Sequence, residues 1–138
     1  MNLPEIDVRN ETACYQALVD LLHPQGLVCP GCGSREGWRV HRSRRAPVVD
    51  YRCTHCRHIF NAWTGTVLQR TRLPPSILWR LLRALVHQEN LAELAREAKL
   101  SRSTVMTWEA RLRQWLRAAE ENANPRRDSK RCKAPHPR

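Results

Sequence analysis

Apolar residues recur at helical spacing between positions 10 and 22. The stripe consists of Cys14, Ala17, Leu18, Leu21 and Leu22. This spacing is typical of an amphipathic helix with one buried face. Asn10 is a residue type that often caps a helix N-terminus, and the His23-Pro24-Gln25-Gly26 stretch ends the helical pattern. We therefore predict an N-terminal helical segment over residues 1–26.

The pattern changes to short runs of β-branched and aromatic residues between positions 27 and 72. The runs cover residues 38–41, 48–52 and 59–63. Gly, Pro and Ser separate them, which is typical of short strands joined by turns. A basic patch, formed by Arg42, Arg44 and Arg45, falls in the loop between the first two predicted strands.

Helical spacing returns over residues 73–121 and predicts three helices. Pro74 and Pro75 suit the first turn of the first helix, and Asn90 begins a capping-box pattern for a second helix over 91–98. Ser101 is positioned to cap the third. Residues 122–138 show no periodicity and carry an excess of basic residues, so we predict a disordered basic tail.

Two Cys-x-x-Cys pairs lie in the strand-rich segment. They are Cys29 with Cys32 and Cys53 with Cys56. Two such turns on a small sheet place four thiolates around one ion, and zinc accepts four thiolates in a closed tetrahedral site. Gly31 and Gly33 are expected to relieve backbone strain in the first turn. The pattern predicts one structural zinc per chain, which supplies folding energy that so small a module lacks.

Other interpretations of the same cysteines remain. Two disulfides are disfavoured in a reducing compartment, and a rubredoxin-like iron site is chemically allowed because thiolates also bind iron. Since four cysteines saturate the ion, His55 and His58 are expected to be exposed polar residues. Cys14 is expected to be a buried thiol, and Cys132 a bystander in the tail.

Charge and hydropathy restrict the class of partner. The 138 residues carry 24 Lys and Arg against 13 Asp and Glu, a formal charge of +11. Such an excess favours nucleic acid over other partners. No apolar run approaches a membrane span, and the first residues lack a signal peptide pattern. We therefore expect a cytoplasmic, nucleoid-associated protein with double-stranded DNA as its partner and no membrane contact.

The last two predicted helices fit a helix-turn-helix. Ala95 is the small residue required where the helices cross, whereas Lys99 replaces the glycine usual in the turn, which predicts a strained or altered turn. The second helix of this motif enters the major groove with its N-terminal residues on the base edges. The predicted DNA contacts are Ser101, Arg102, Ser103, Thr104, Met106, Thr107 and Arg111, together with Arg42, Arg44 and Arg45.

Together these patterns predict an α+β chain. A small four-cysteine zinc ribbon of short antiparallel strands is flanked by an N-terminal helix and a C-terminal three-helix helix-turn-helix module. The predicted boundaries are residues 1–26, 27–72, 73–121 and 122–138.

The order of these parts resembles the N-terminal region of bacterial insertion-sequence transposases of the transposase zinc-ribbon family. The resemblance rests on the segments CPGCGS and YRCTHC, on Thr64-Gly65-Thr66, and on the helix that contains Trp79. It implies that the ribbon and the helix-turn-helix bind transposon ends. In that family a DDE nuclease domain follows, and this sequence does not show its carboxylates. We therefore expect a truncated, split or domesticated relative that binds specific DNA without a catalytic site.

Two other functions remain open from the sequence. One is a zinc-ribbon adaptor that binds a protein partner. The other is the DNA-binding subunit of a transposase whose nuclease part lies on a separate chain.

Overall fold

The computed structural model describes residues 2–122 and combines helices with a small antiparallel sheet. The elements are α1 (Glu11–Leu22), β1 (Trp38–Arg42), β2 (Asp50–Cys53), β3 (Ile59–Phe60), α2 (Pro75–Val86), α3 (Leu91–Ala98) and α4 (Arg102–Asn122). The α+β class predicted from the sequence is confirmed. The predicted tail, with Cys132, lies outside the described residues apart from Asn122, which ends α4.

Helix α1 has the predicted cap, and its predicted stripe is buried over part of its length. The Asn10 side chain accepts a hydrogen bond from the backbone N–H of Ala13 at 3.0 Å, which satisfies one free donor of the first turn. The stripe is buried at Cys14, Ala17 and Leu18 and half-buried at Leu21 and Leu22. Beyond the helix, His23 Nε2 lies 2.7 Å from the carbonyl oxygen of Ala62. This contact ties the end of α1 to the segment that follows β3.

The sheet has the order β1-β2-β3, and both pairs are antiparallel. Trp38, Tyr51 and Phe60 form a cluster on one face, with ring centroids 5.2 to 5.8 Å apart. Cys29 and Cys53 belong to the same buried cluster. The inner face of the sheet therefore supports the cysteines directly.

Strands β2 and β3 are shorter than predicted because local hydrogen bonds compete with the sheet ladder. Val48 is buried, but its N–H donates to the carbonyl oxygen of Arg45 in a turn. After β3, the side chain of Asn61 accepts from the N–H groups of Trp63 and Thr64. An asparagine that bonds forward in this way ends a strand. The backbone from Asn61 onward is consequently a series of turns.

Helix α2 has no exposed residue along its 12 positions. Its first turn is capped from a distant part of the chain. The two carboxylate oxygens of Glu11 accept from the N–H and the hydroxyl of Ser76, at 2.9 and 2.6 Å. A carboxylate at this position satisfies helix N–H groups and complements the helix dipole. Glu11 thereby fixes the start of α2 to α1.

The chain forms two compact units, one over Leu3–Arg83 and the other beginning at Ala84. The division falls within α2, whereas the sequence pattern assigned the whole of that helix to residues 73–121. The predicted boundaries therefore stay predictions.

Within the described residues, no helix is long and apolar enough to cross a membrane.

The second unit contains the helix pair α3–α4 and a three-residue turn. Asn90 caps α3 by accepting from the N–H of Ala92 at 2.8 Å. Lys99 ends α3 with φ 57° and ψ 41°, the left-handed conformation that glycine adopts without a steric cost. Lys99 therefore has the backbone conformation that glycine would adopt in this turn, and its side chain makes that conformation strained.

Candidate metal centre and nucleic-acid interface

Both Cys-x-x-Cys turns have the same backbone design. In the first, the N–H of Gly33 donates to the carbonyl oxygen of Cys29 at 2.7 Å, and in the second the N–H of Arg57 donates to that of Cys53 at 2.9 Å. The residue after each second cysteine is left-handed, with φ 77° at Gly33 and 67° at Arg57. This repeated turn lets both sulfurs of a pair face the same point.

The four sulfurs converge. The Sγ atoms of the two pairs all lie within 4.8 Å of one another. Sulfurs of opposite pairs approach to 3.5 Å, from Cys29 to Cys56, and to 3.6 Å, from Cys32 to Cys53. No disulfide links any cysteine of the described chain. The arrangement is a single four-thiolate cluster.

The dimensions of this cluster suit zinc. A tetrahedral ion with Zn–S bonds of about 2.3 Å holds its sulfurs about 3.8 Å apart, close to the separations observed here. Cys29 and Cys53 are buried, whereas Cys32 and Cys56 are exposed. The four cysteines form the zinc site, and four thiolates leave no open position on the ion.

Hydrogen bonds from backbone N–H groups lower the pKa of one cysteine of the cluster. The N–H of Cys56, and then that of His55, lower the pKa of the Cys53 thiol to about 6, although burial acts in the opposite direction. Thiolate is the form that binds metal. Although the backbone N–H of Ser34 acts in the opposite direction, burial and hydrogen bonds with the neighbouring thiols raise the pKa of Cys32 to about 12. Burial also raises the pKa of the Cys14 thiol, so that cysteine stays protonated.

Two glycines beside the cluster are required for space. A Cβ on Gly31 would lie 3.0 Å from Cys56 Sγ and 3.2 Å from His58 Cβ. Gly31 does not have a positive φ, so the expectation that it relieves backbone strain is wrong, and only Gly33 has that role. A Cβ on Gly37 would lie 2.8 Å from His55 Nε2. Both histidines therefore pack against glycine backbone.

The predicted DNA-contacting residues of α4 lie at its N-terminal end. Arg102, Ser103, Met106 and Thr107 are exposed, and the side chain of Met106 is 61% exposed. Residues three and four positions apart share a helix face, so these four form one open surface. On the opposite side, Val105 and Trp108 are buried.

Ser103 and the remaining predicted residues from Ser101 onward have intramolecular contacts. The Ser103 hydroxyl lies 3.2 Å from that of Ser101. The Ser101 hydroxyl accepts from the N–H of Thr104 at 3.1 Å and donates to the Thr104 hydroxyl at 2.8 Å. Ser101 is thus the helix cap that the sequence predicted. The guanidinium of Arg111 stacks over the Trp108 ring, 4.3 Å from its centroid. That contact is a cation–π interaction.

The structure brings together the three arginines of the basic patch, although Arg42 is the last residue of β1 and does not lie in the loop as predicted. Arg42, Arg44 and Arg45 line one pocket of about 280 Å³ with Val48 and Asp50. Arg45 Nη2 also donates to the carbonyl oxygen of Thr71 at 2.8 Å. Arg45 therefore stabilises the fold as well as contributing charge, and its role as a DNA contact stays a prediction.

Sequence reasoning missed the role of Arg57 in the second Cys-x-x-Cys turn. The signal was present, because Arg57 follows Cys56 as Gly33 follows Cys32. A non-glycine residue at a left-handed position is uncommon. Its side chain is exposed, so it adds a positive charge beside the zinc ligands.

Comparison with known families gives a match, and it covers the cysteine-containing part of the chain. Residues 9–59 match the family described as transposase zinc-ribbon domain. The match contains α1, β1, β2 and all four cysteines. Comparisons with curated proteins and with solved structures returned no match. The part of this chain that carries the four-cysteine cluster is thus similar to a transposase zinc-ribbon domain over residues 9–59.

Proposed function

We propose that the protein binds specific double-stranded DNA through α4, as the end-binding part of a transposase or a protein derived from one. The observation that carries the proposal is the exposed surface formed by Arg102, Ser103, Met106 and Thr107. It stands on a two-helix unit in the same chain as a segment similar to a transposase zinc ribbon. A location on chromosomal DNA is part of this proposal.

The start of α4 suits a negatively charged partner. Its first turn contains no acidic residue, and Arg102 provides a cation there. The N-terminus of a helix carries partial positive charge from its N–H groups. Together these features favour phosphate or the acceptor edges of bases near the N-terminal end of α4.

Met106 gives the surface an apolar contact. A methionine that is 61% exposed contributes little to the core of the protein. It lies four residues after Arg102, and therefore on the same helix face. Thymine is the base that presents a methyl group in the major groove. We assign Arg102 to a guanine edge and Met106 to a thymine methyl group.

Selection of bound sites from random duplex DNA, followed by Arg102→Ala, tests the assignment to guanine. A bidentate arginine–guanine pair contributes about 1–3 kcal/mol of discrimination. We expect the variant to lose about that much affinity for the selected site and little for unrelated duplex. Arg117→Ala, which removes an exposed arginine of the same helix, is the control. Equal loss on both DNAs would assign Arg102 to phosphate instead.

Replacing thymine by uracil tests Met106, because the substitution removes only the methyl group. For the wild-type protein, one uracil position in the selected site should weaken binding. In Met106→Ala the same uracil should cause no further loss, because the contact is already absent. If the two losses simply add at every position, Met106 does not contact a thymine methyl group.

We further propose that the 138-residue polypeptide binds such DNA without cutting it. The proposal is supported by the zinc site, whose four thiolates leave no position for water or substrate. The test incubates the purified protein with its selected duplex and magnesium or manganese. Intact DNA is expected. Site-specific nicking that persists through purification and disappears in a glutamate variant, such as Glu109→Gln, would contradict the proposal.

A further inference from the structure

The outer face of the ribbon sheet carries an arginine pair that neither the sequence analysis nor the family match assigns. In the β1–β2 ladder Arg39 lies directly opposite Arg52, and Arg52 lies opposite Ile59 of β3. The neighbouring row, Val40, Tyr51 and Phe60, belongs to the face with the aromatic cluster. Because side chains alternate along strands, Arg39, Arg52 and Ile59 form one row on the outer face.

This outer row is open to solvent. Arg39 and Arg52 are exposed, and Ile59 is 44% exposed. Within residues 2–122, neither arginine forms an ion pair. Asp50, two residues before Arg52, accepts a hydrogen bond from Asn61 Nδ2 at 2.9 Å. Neither guanidinium group forms an ion pair with that carboxylate.

Opposing like charges on a sheet have an energetic cost. Residues that face each other in an antiparallel pair have Cβ atoms about 5 Å apart, and like charges there destabilise the sheet. A bound anion between the two guanidinium groups reverses the sign of this interaction. An arginine pair without a carboxylate partner is thus suited to binding an anion.

The surrounding charge is also concentrated in the ribbon. Residues 27–72 contain nine arginines and two acidic residues, a net charge of +7 out of +11 for the whole chain. Every cation in this segment is arginine, whose planar group binds phosphate in a bidentate way. Ile59, at the end of the row, provides an apolar surface that fits a deoxyribose.

We infer that the outer face of the ribbon sheet binds the phosphate backbone of duplex DNA, with Arg39 and Arg52 together holding backbone phosphates and Ile59 against the adjoining sugar. The inference rests on the proposed DNA-binding function and adds a second, sequence-independent contact to it. Phosphate contacts fix position and affinity but carry no base information. The ribbon therefore supplies affinity, whereas α4 supplies specificity.

The first experiment compares two double variants of the full chain that remove the same charge. Arg39→Gln/Arg52→Gln removes the outer pair. Arg9→Gln/Arg70→Gln removes two exposed arginines of the same unit that do not belong to the outer row, and Arg9 lies 3.8 Å from the Asp7 carboxylate. Affinity for the selected duplex and for an unrelated duplex is measured at several salt concentrations. Each phosphate contact contributes about 0.9 to the salt slope, so loss of the outer pair should reduce that slope by about 2 on both DNAs.

A second measurement locates the contact on the DNA. Single backbone phosphates of the selected duplex are replaced by uncharged methylphosphonate. Wild-type protein should lose affinity at one or two positions where Arg39→Gln/Arg52→Gln loses nothing further. The control variant should lose affinity at those positions as the wild type does. Each variant is first checked for one zinc per chain and for an unchanged melting temperature, or a raised one in the outer-pair variant.

The outcomes separate this inference from the proposed function. If the outer-pair variant and the control variant bind equally well, the outer face does not bind DNA, although sequence-specific binding by α4 stands. If the outer-pair variant changes which site is selected, the pair reads bases and the inference is wrong. If wild-type protein binds no duplex even at low salt, the proposed function fails together with the inference.

Discussion

Lys99 has a left-handed backbone conformation that is unfavourable for a residue with a side chain. This conformation costs roughly 1–2 kcal/mol for a residue with a Cβ. Replacement by glycine removes this cost, but the greater conformational entropy of glycine in the unfolded chain opposes the gain by about 0.5–1 kcal/mol. Lys99→Gly should therefore stabilise the α3–α4 unit by about 1 kcal/mol, measured by thermal or urea unfolding. Lys99→Ala removes the charge and keeps the Cβ, so it should not stabilise. Equal gains in both variants would point to charge as the cause.

Gly31 is expected to be sensitive because of its position against a zinc ligand. Gly31→Ala places a Cβ 3.0 Å from Cys56 Sγ and must displace that sulfur. The Gly31 N–H also donates to Cys29 Sγ at 3.3 Å. Disturbing a hydrogen-bonding partner of a metal ligand typically lowers metal affinity about 10- to 100-fold, and we expect a loss in this range in a chelator competition assay. The control is Gly33→Asn, since asparagine tolerates a left-handed backbone and a Cβ at position 33 has no neighbour within 4 Å. Unchanged zinc affinity in Gly31→Ala would contradict the steric argument.

At the scale of elements, Glu11 couples two helices that are distant in sequence. Its carboxylate caps α2 through Ser76, and removal of a helix cap costs about 0.5–2 kcal/mol. Glu11→Ala should lower the melting temperature of the ribbon unit accordingly. Asp20→Ala, which removes an exposed carboxylate of the same helix, should have a smaller effect. Equal shifts in the two variants would mean that the cap contributes no specific stability.

The accuracy of the sequence prediction also varies by element. Caps at Asn10, Asn90 and Ser101 were predictable because each acts on residues within three positions. The cysteine pairs were predictable because metal-binding turns have a fixed local spacing. In contrast, the Glu11–Ser76 cap joins residues 65 positions apart. The Arg39–Arg52 pair depends on strand register. Neither leaves a local pattern, so only the fold reveals them.

For the whole molecule, removal of zinc is expected to unfold the ribbon more than the second unit. Chelation or Cys53→Ser should abolish the near-ultraviolet circular dichroism of the cluster of Trp38, Tyr51 and Phe60, because those rings pack around buried zinc ligands. Much of the helical signal from α3 and α4 should remain. Cys14→Ala should retain one zinc per chain by elemental analysis, since Cys14 lies outside the cluster. Full retention of the aromatic signal after chelation would show that the ribbon folds without metal.

The arginine-only composition of the ribbon has a practical consequence for handling the protein. Lysine occurs only at positions 99, 130 and 133, so none falls within residues 27–72. Amine-reactive dyes, biotin esters and sensor-chip coupling modify lysine and the chain terminus but leave guanidinium groups intact. A molecule attached to a surface in this way therefore keeps every charge of its ribbon available. Since arginine stays protonated at any ordinary pH, a support that carries the protein can also be washed with mild alkali without deprotonating the arginines of the ribbon.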